Sequence, residues 1–201
     1  MNISVYNLKK KFQDLLMPLC KKLNLLGITP NQITIGTMIG SIVFSLLFYK
    51  LSKYRILFLI VPLFFLKRMA LNALDGMIAS RFNKKTNLGI FLNEIGDIVA
   101  DTVFYFCFFS VLNINVVLSM LFIFLGILSE YTGITAIQVD GKRHYEGPMG
   151  KSDRALFISL LSIFIFFKLD SRCIEYLLIL GVGLLLLTIY NRIKNSLKNI
   201  S

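Results

Sequence analysis

The sequence predicts an all-α integral membrane protein, a bundle of about six transmembrane helices preceded by an N-terminal amphipathic interfacial helix. Three observations carry that prediction. The 201-residue chain is 56% hydrophobic with a mean hydropathy of +0.71, more apolar sequence than a soluble domain of this length needs. Its apolar residues come in runs close to the roughly 20 residues that a bilayer core demands. Its net charge of +11 gathers at the ends of those runs, where the positive-inside rule and anionic headgroups explain it without a nucleic-acid partner. Cys20, Cys107 and Cys173 lie far apart and offer neither a disulfide framework nor metal-ligand spacing. With no internal repeat, low-complexity tract or soluble linker, residues 1–201 read as a single domain.

Residues 1–24 supply the interfacial helix. Val5, Leu8, Phe12, Leu15, Leu16 and Leu19 recur at helical spacing, with Lys9, Lys10, Lys11, Lys21 and Lys22 around them. A partly soluble helical arm is the alternative. No apolar run here is long enough for a signal peptide's core, so cleavage is not expected. The six-helix part occupies 29–198, with spans near 31–50, 56–80, 87–112, 114–138, 154–169 and 172–193. Thr29 suits an N-cap and Pro30 a first helical turn, and Gly36 and Gly40 form a small-xxx-small pair suited to close packing. An even number of spans puts both termini on one side. Arg81, Lys84, Lys85, Lys142, Arg143, Lys151, Arg154, Arg192, Lys194 and Lys198 share that side, so both termini are expected in the cytosol.

Spans two and three carry most of the polar groups. Arg68, Asn72, Asp75 and Ala79 fall in one narrow helical stripe with Gly76 beside it, and Gly89, Asn93, Asp97 and Asp101 recur at every fourth position with Glu94 at the edge. Ionisable groups within apolar sequence are costly, which makes them functional candidates by default. A short basic loop joins the two helices and would bring the two polar faces together. Buried pairing, for example of Arg68 with Asp75, is the purely structural reading of the same residues.

The pattern Asn72-x-x-Asp75-Gly76-x-x-Ala79 followed by Gly89-x-x-x-Asn93-x-x-x-Asp97 resembles the signature of the CDP-alcohol phosphotransferases. Those enzymes carry D-x-x-D-G-x-x-A-R and then G-x-x-x-D-x-x-x-D. The spacing matches throughout. Asn72 and Asn93 stand where the family has its first and third Asp, and Ser80 where it has Arg, with Arg81 one place late. The words R-M-A-L-N-A-L-D-G-M, L-N-E-x-G-D and G-K-S-D-R-A-L are similar to the bacterial YnbA-like branch, which also carries the two asparagines. The resemblance covers nearly the whole chain.

That resemblance implies transfer of a phosphatidyl group from CDP-diacylglycerol to a small hydroxylated acceptor (a polyol or polyol phosphate), with release of CMP, in phospholipid biosynthesis. It implies Mg²⁺ or Mn²⁺, ions that suit oxygen ligands, membrane lipids as surroundings, a homodimer, and the bacterial cytoplasmic (inner) membrane as location. Carried over position by position, Asp75, Asn72, Asn93 and Asp97 are metal ligands, and Asp97 is also the candidate general base. Glu94 and Asp101 are secondary metal candidates that offset the two charges lost at the asparagines. Asn31 and Thr34 (in a T-P-N-x-x-T opening like the family's), Arg68, Gly76, Ala79, Ser80 and Gly89 are candidates for the nucleotide and diphosphate. Capping alone also accounts for Asn31 and Thr34.

Between spans four and five, Gly147, Pro148 and Gly150 mark a turn, and Lys151-Ser152-Asp153-Arg154 opens the fifth span. Lys151 and Arg154 are candidates for a phosphate on either substrate, or they set topology alone. Ser152 or Asp153 suits the cap. Glu130 either lines the acceptor pocket or hydrogen-bonds between helices. His144, the single histidine, lies in a loop expected to be exposed and makes no metal case. Two further functions remain open: transfer of a phospho-alcohol from a soluble CDP-alcohol to a lipid hydroxyl, and a non-catalytic CDP-lipid-binding membrane protein.

Overall fold

The computed structural model describes residues 5–198, with side chains described from residue 12 onward. The expected start of the interfacial helix before Val5, and the side chains through Lys11, lie outside the described residues. The described chain is helical: α1 Val5–Leu25, α2 Pro30–Leu51, α3 Leu57–Arg81, α4 Asn87–Ser110, α5 Val116–Thr135, the short α6 Ile137–Asp140, α7 Lys151–Phe166 and α8 Ser171–Lys198.

Six longer helices thus follow α1 near the expected spans. By length and composition α2, α3, the α5–α6 segment and α8 can each cross a membrane. The other two depart from that measure for separate reasons. Helix α4 carries Asn93, Glu94, Asp97 and Asp101 among its apolar residues. Helix α7 has 16 residues, which at about 1.5 Å per residue is about 24 Å, short of a hydrocarbon core of about 30 Å.

The chain gathers into two compact units. The first takes the residues up to Val43 together with Leu66–Ala100, and the second takes Phe44–Phe65 and the residues from Asp101 onward. In the first, Cys20 of α1 is fully buried, and Leu16, Met17 and Leu23 pack with it against Ile33, Leu74, Met77 and Ile78. Leu15 and Leu19 point outward. One side of α1 therefore docks on its unit and the other is left for an interface, as an interfacial helix requires. Gly36 and Gly40 depart from expectation: a side chain at either would meet nothing within 4 Å, so they mediate no close approach in this chain.

The second unit is held by aromatic packing. Phe48, Phe58, Phe65, Phe104, Phe108 and Phe122 are all at most 5% exposed. Phe104 meets Phe65 edge-on at 4.9 Å, and Phe122 stacks on Phe157 at 5.7 Å, arrangements that ring quadrupoles favour. Helices α5 and α8 pack along each other in this unit. Gly181 makes that possible, because a Cβ there would lie 2.9 Å from the Phe157 ring and 3.0 Å from that of Phe122.

Candidate active site

Helix ends build one side of the first unit's cavity. At the start of α2 the Thr29 hydroxyl accepts from the Gln32 amide at 3.2 Å, while the Gln32 side-chain oxygen accepts from the Thr29 amide at 2.9 Å. This reciprocal capping box fixes the entry of the helix. One turn on, the Thr34 hydroxyl lies 3.0 Å from the Pro30 carbonyl and 2.8 Å from the Asp75 carboxylate. At the start of α4 the Thr86 hydroxyl accepts from the Gly89 amide at 2.9 Å, and the Asn31 side chain reaches that hydroxyl at 3.3 Å. Gly89 is required for the contact, since a Cβ there would sit 2.7 Å from Asn31 Oδ1.

These elements enclose a cavity of about 430 Å³. Asn31 and Thr34 of α2, Asp75, Gly76 and Ala79 of α3, and Gly89, Asn93 and Glu94 of α4 line it, which brings eight of the sequence candidates to one place. A Cβ on Gly76 would meet no protein atom within 4 Å. That face is open, with room for a ligand to approach the backbone.

Lys84, Lys85, Thr86 and Asn87 also line it, with Pro30 and Ile90; from the sequence alone the two lysines read only as topology-setting charge. They arrive through the end of α3. Phe82 N–H bonds Ile78 O at 3.1 Å and Lys84 N–H bonds Ala79 O at 3.0 Å, with Asn83 in the left-handed region at φ 53°. This is a helix-terminating reversal that usually uses glycine and that asparagine tolerates. It turns the chain back over Ala79 and gives the cavity two cations. Ser80 is not part of the lining, because its hydroxyl donates to the Gly76 carbonyl at 2.6 Å.

Asp97 lies one turn beyond Asn93 on α4 and its side chain is 20% exposed. Asn72 Nδ2 donates to its carboxylate at 2.9 Å. Arg68 Nη2 approaches the same oxygen at 3.5 Å and the Asp97 carbonyl at 3.2 Å. A carboxylate at position 72 would repel Asp97, whereas the carboxamide donates to it. Arg68 and Asn72 therefore hold Asp97 rather than line the cavity.

The remaining candidates lie in the second unit. Asp101 accepts from Arg154 at 3.3 Å, and Arg154 also reaches Glu130 at 3.0 Å. Arg143 meets the other Glu130 oxygen at 3.1 Å, and Arg192 lies 3.7 Å from Glu130. At the start of α7 the N-cap is Gly150 rather than Ser152 or Asp153, and Asp153 contributes from the third helical position by accepting from the Gly150 amide at 3.0 Å. Lys151 is half-buried.

His144 corrects the sequence reading. It is only 6% exposed, with its two ring nitrogens 2.7 Å from Asp140 and 2.7 Å from Glu146. The loop reaches this depth because Gly133 has no side chain: the His144 amide bonds the Gly133 carbonyl at 3.2 Å, and any Cβ there would collide with the His144 carbonyl. The Asp140 hydrogen bond chiefly holds the imidazole pKa above its ordinary value, against the opposing effect of burial, with Glu146 adding to the rise. Among the described residues, no three His, Cys, Asp or Glu side chains converge as a metal cluster. The first unit instead offers mixed carboxylate and carboxamide oxygens.

The chain is similar to known proteins in sequence and in fold. The family model for CDP-alcohol phosphatidyltransferases matches residues 27–190. The inner membrane protein YnbA of Escherichia coli K12 is 42% identical over 158 residues, which is 79% of this chain and 78% of that protein. Two crystal structures of the phosphatidylinositol phosphate synthase PgsA1 of Mycobacterium tuberculosis share the fold at 16% identity. The complex with manganese and citrate gives a TM-score of 0.73, covering 89% of this chain and 87% of that one. The form with CDP-DAG bound gives 0.72, covering 89% and 92%. With the cavity, the motif spacing and the membrane-length helices, these matches show that the chain is a multi-pass membrane protein belonging to the CDP-alcohol phosphatidyltransferase family.

Proposed function

We propose that the chain transfers a phosphatidyl group from CDP-diacylglycerol to the hydroxyl of a small alcohol, with release of CMP, in phospholipid synthesis at a bacterial cytoplasmic membrane. Residues 27–190 would act as one catalytic domain with both termini cytosolic. The observation that carries this reading is the convergence of Asp75 and Gly76 from α3 with Gly89, Asn93 and Glu94 from α4 on one cavity. That convergence uses the spacing that defines the family, and a solved protein of the same fold is described with CDP-DAG bound.

In the reaction the acceptor oxygen forms a bond to the phosphorus that bears diacylglycerol. The bond from that phosphorus to the CMP oxygen breaks, and the hydroxyl proton passes to a base. Asp97 is the base on this reading, oriented by the Asn72 carboxamide and by Arg68. Asn31, Thr86 and Gly89 take the nucleotide end. Gly76 lets the diphosphate approach the α3 backbone. Lys84 and Lys85 provide the positive charge that Ser80 does not, which suits a diphosphate held in a membrane protein.

The donor set is all oxygen, the chemistry of Mg²⁺ or Mn²⁺, and fits such an ion when substrate phosphate supplies further ligands. Asp75 and Asn93 of the cavity lining would hold it together with Asn72 and Asp97, which bond each other, and Glu94 is the other carboxylate of the lining. The ion would supply charge neutralisation on the diphosphate and the departing CMP. Two carboxamides in place of carboxylates lower the negative charge at the site, so metal affinity is expected to depend strongly on bound donor.

The test is CMP release from CDP-diacylglycerol by the purified protein, with and without Mg²⁺ or Mn²⁺, across a panel of alcohols. Release that needs metal, an acceptor and Asp97 supports the proposal. Metal-dependent binding of CDP-diacylglycerol with no release under any acceptor contradicts it and favours a binding protein.

A further inference from the structure

We propose that the first unit's cavity holds one divalent cation rather than a pair, and that Asn72 and Asn93 are the residues that set this number. The inference rests on the phosphatidyl-transfer reading above and deepens it at the metal.

The family signature offers four aspartates at the positions held here by Asn72, Asp75, Asn93 and Asp97. A set of that kind suits two ions about 3.5–4 Å apart, clamping the attacking and departing oxygens of a displacement. Two cations so close repel each other strongly, and carboxylates that give one oxygen to each ion offset the repulsion. In this chain the carboxylates of the motif are fewer and already engaged. The Thr34 hydroxyl lies 2.8 Å from Asp75 Oδ2. Asp97 Oδ1 takes Asn72 Nδ2 at 2.9 Å and Arg68 Nη2 at 3.5 Å. One oxygen of each motif aspartate is thus committed to a donor of the chain itself, so neither bridges two ions.

Asn72 goes further than a neutral replacement. An ionised carboxylate only accepts, so the carboxamide presents Nδ2 to Asp97, a group that no cation coordinates. Arg68 brings its own positive charge to the same carboxylate, and a second cation there would have to displace it. Asn93 lines the cavity with Asp75 and Glu94 and offers a neutral carbonyl oxygen in place of a charged one. Among the described residues, no three His, Cys, Asp or Glu side chains converge.

Charge balance gives the same number. The charged residues of the cavity lining and of the Asp97 contact are Asp75, Glu94 and Asp97 against Arg68, Lys84 and Lys85, which cancel in formal charge. The diphosphate of the donor adds two negative charges, and one divalent ion neutralises them. A second ion would leave two positive charges uncompensated in apolar surroundings, which is costly. Carboxylates at positions 72 and 93 would supply the two charges that a second ion needs.

The test counts bound Mn²⁺ by electron paramagnetic resonance on the purified protein in neutral detergent with CDP-diacylglycerol, after subtraction of the same micelles without protein. The wild type is expected to bind about one ion per chain, with no exchange-coupled pair in its spectrum, and Asp75→Asn to lose it. Asn72→Asp combined with Asn93→Asp is expected to bind about two ions, with a coupled spectrum. Two ions or a coupled pair in the wild type overturns the inference. So does the absence of any bound ion, or an ion that survives Asp75→Asn. A count of one in a folded double variant overturns the assignment to the asparagines. Should the double variant fail to fold, Asn93→Asp alone keeps the bond between Asn72 and Asp97 and is expected to bind its ion about tenfold more tightly, whereas unchanged affinity contradicts the charge argument. The count does not depend on turnover. A protein that binds one ion and releases no CMP fails the phosphatidyl-transfer reading and supports this inference.

Discussion

The two units of this chain use buried charge in opposite ways. In the first, polar groups line an open cavity: Gly76 faces space, Lys84 and Lys85 stand at the wall, and Asp75 keeps contact with Thr34 at 2.8 Å. In the second, charges close on one another. Glu130 gathers Arg143, Arg154 and Arg192, and Asp101 shares Arg154. Aspartates four residues apart on one helix, Asp97 and Asp101, thus fall under different regimes. A buried ion pair is costly to break and adds little beyond its own desolvation. An open polar wall keeps its capacity for a ligand. On the proposed reading the first unit carries the chemistry, and the second unit's charge network is structural.

Substitutions can break that contrast or sharpen it. The largest expected effect is on turnover: Asp97→Asn is predicted to lower CMP release by about 10²–10⁴-fold, the usual contribution of a general base, with a smaller fall in unfolding temperature than loss of a fully buried partner gives, because the Asp97 side chain is 20% exposed and Arg68 keeps its bond to the backbone carbonyl. Arg154→Met is predicted to behave in the reverse sense. It strands Glu130 and Asp101 without a main partner, and loss of one member of a buried pair costs about 3–5 kcal/mol, read as a lowered unfolding temperature. Equal thermal losses in the two variants would erase the distinction between the units.

Smaller effects should separate parts of the cavity. Gly89→Ala places a Cβ 2.7 Å from Asn31 Oδ1 and is predicted to weaken CDP-diacylglycerol binding about tenfold, a change of about 1.4 kcal/mol, while leaving the metal requirement in place. Asn72→Asp restores a carboxylate beside Asp97. Half-maximal activity should then need less Mg²⁺, since the added charge favours a cation and also removes the carboxamide's hydrogen bond.

The smallest effect is a pH dependence in the second unit. The folded-state pKa of His144 is raised, first by its bond to Asp140, so its contribution to stability is complete below its unfolded value of about 6.5 and is lost as pH rises through the raised value. Burial pushes the Glu146 carboxyl up, but a backbone hydrogen bond and His144 outweigh it and leave its pKa lowered. Its contribution is present above the ordinary glutamate range and is lost as pH falls through the lowered value. Protection of the 141–150 loop against hydrogen exchange, taken relative to the intrinsic rate at each pH, should therefore be greatest in mildly acidic solution, and His144→Gln should flatten the alkaline side.

Much of the first unit was legible in the sequence because isolated polar residues in apolar helices are conspicuous and their spacing fixes a face. Asn72, Asp75 and Gly76, then Gly89, Asn93 and Asp97, could be placed on two helices without coordinates. Lys84 and Lys85 could not be separated from topology-setting charge, because their entry depends on Asn83 adopting φ 53°, which a non-glycine sequence does not announce. The ion network escaped for another reason. Glu130 and Arg192 are 62 positions apart, and only α5–α8 packing unites them. The one available signal was the spacing of Gly126, Ser129, Glu130 and Gly133. His144 looked exposed because glycine and proline surround it. Gly133, eleven residues earlier, decides otherwise.

Hydrogen–deuterium exchange of the full-length protein in lipid nanodiscs, with and without CDP-diacylglycerol and Mg²⁺, tests the central claim most directly. The account predicts protection concentrated at Asn31–Thr34, Asp75–Ala79 and Lys84–Asn93, with the peptides around Ser129–Glu130 and Arg154 unchanged. Protection centred on the Glu130–Arg154 network, with the first unit's cavity unaffected, would contradict it.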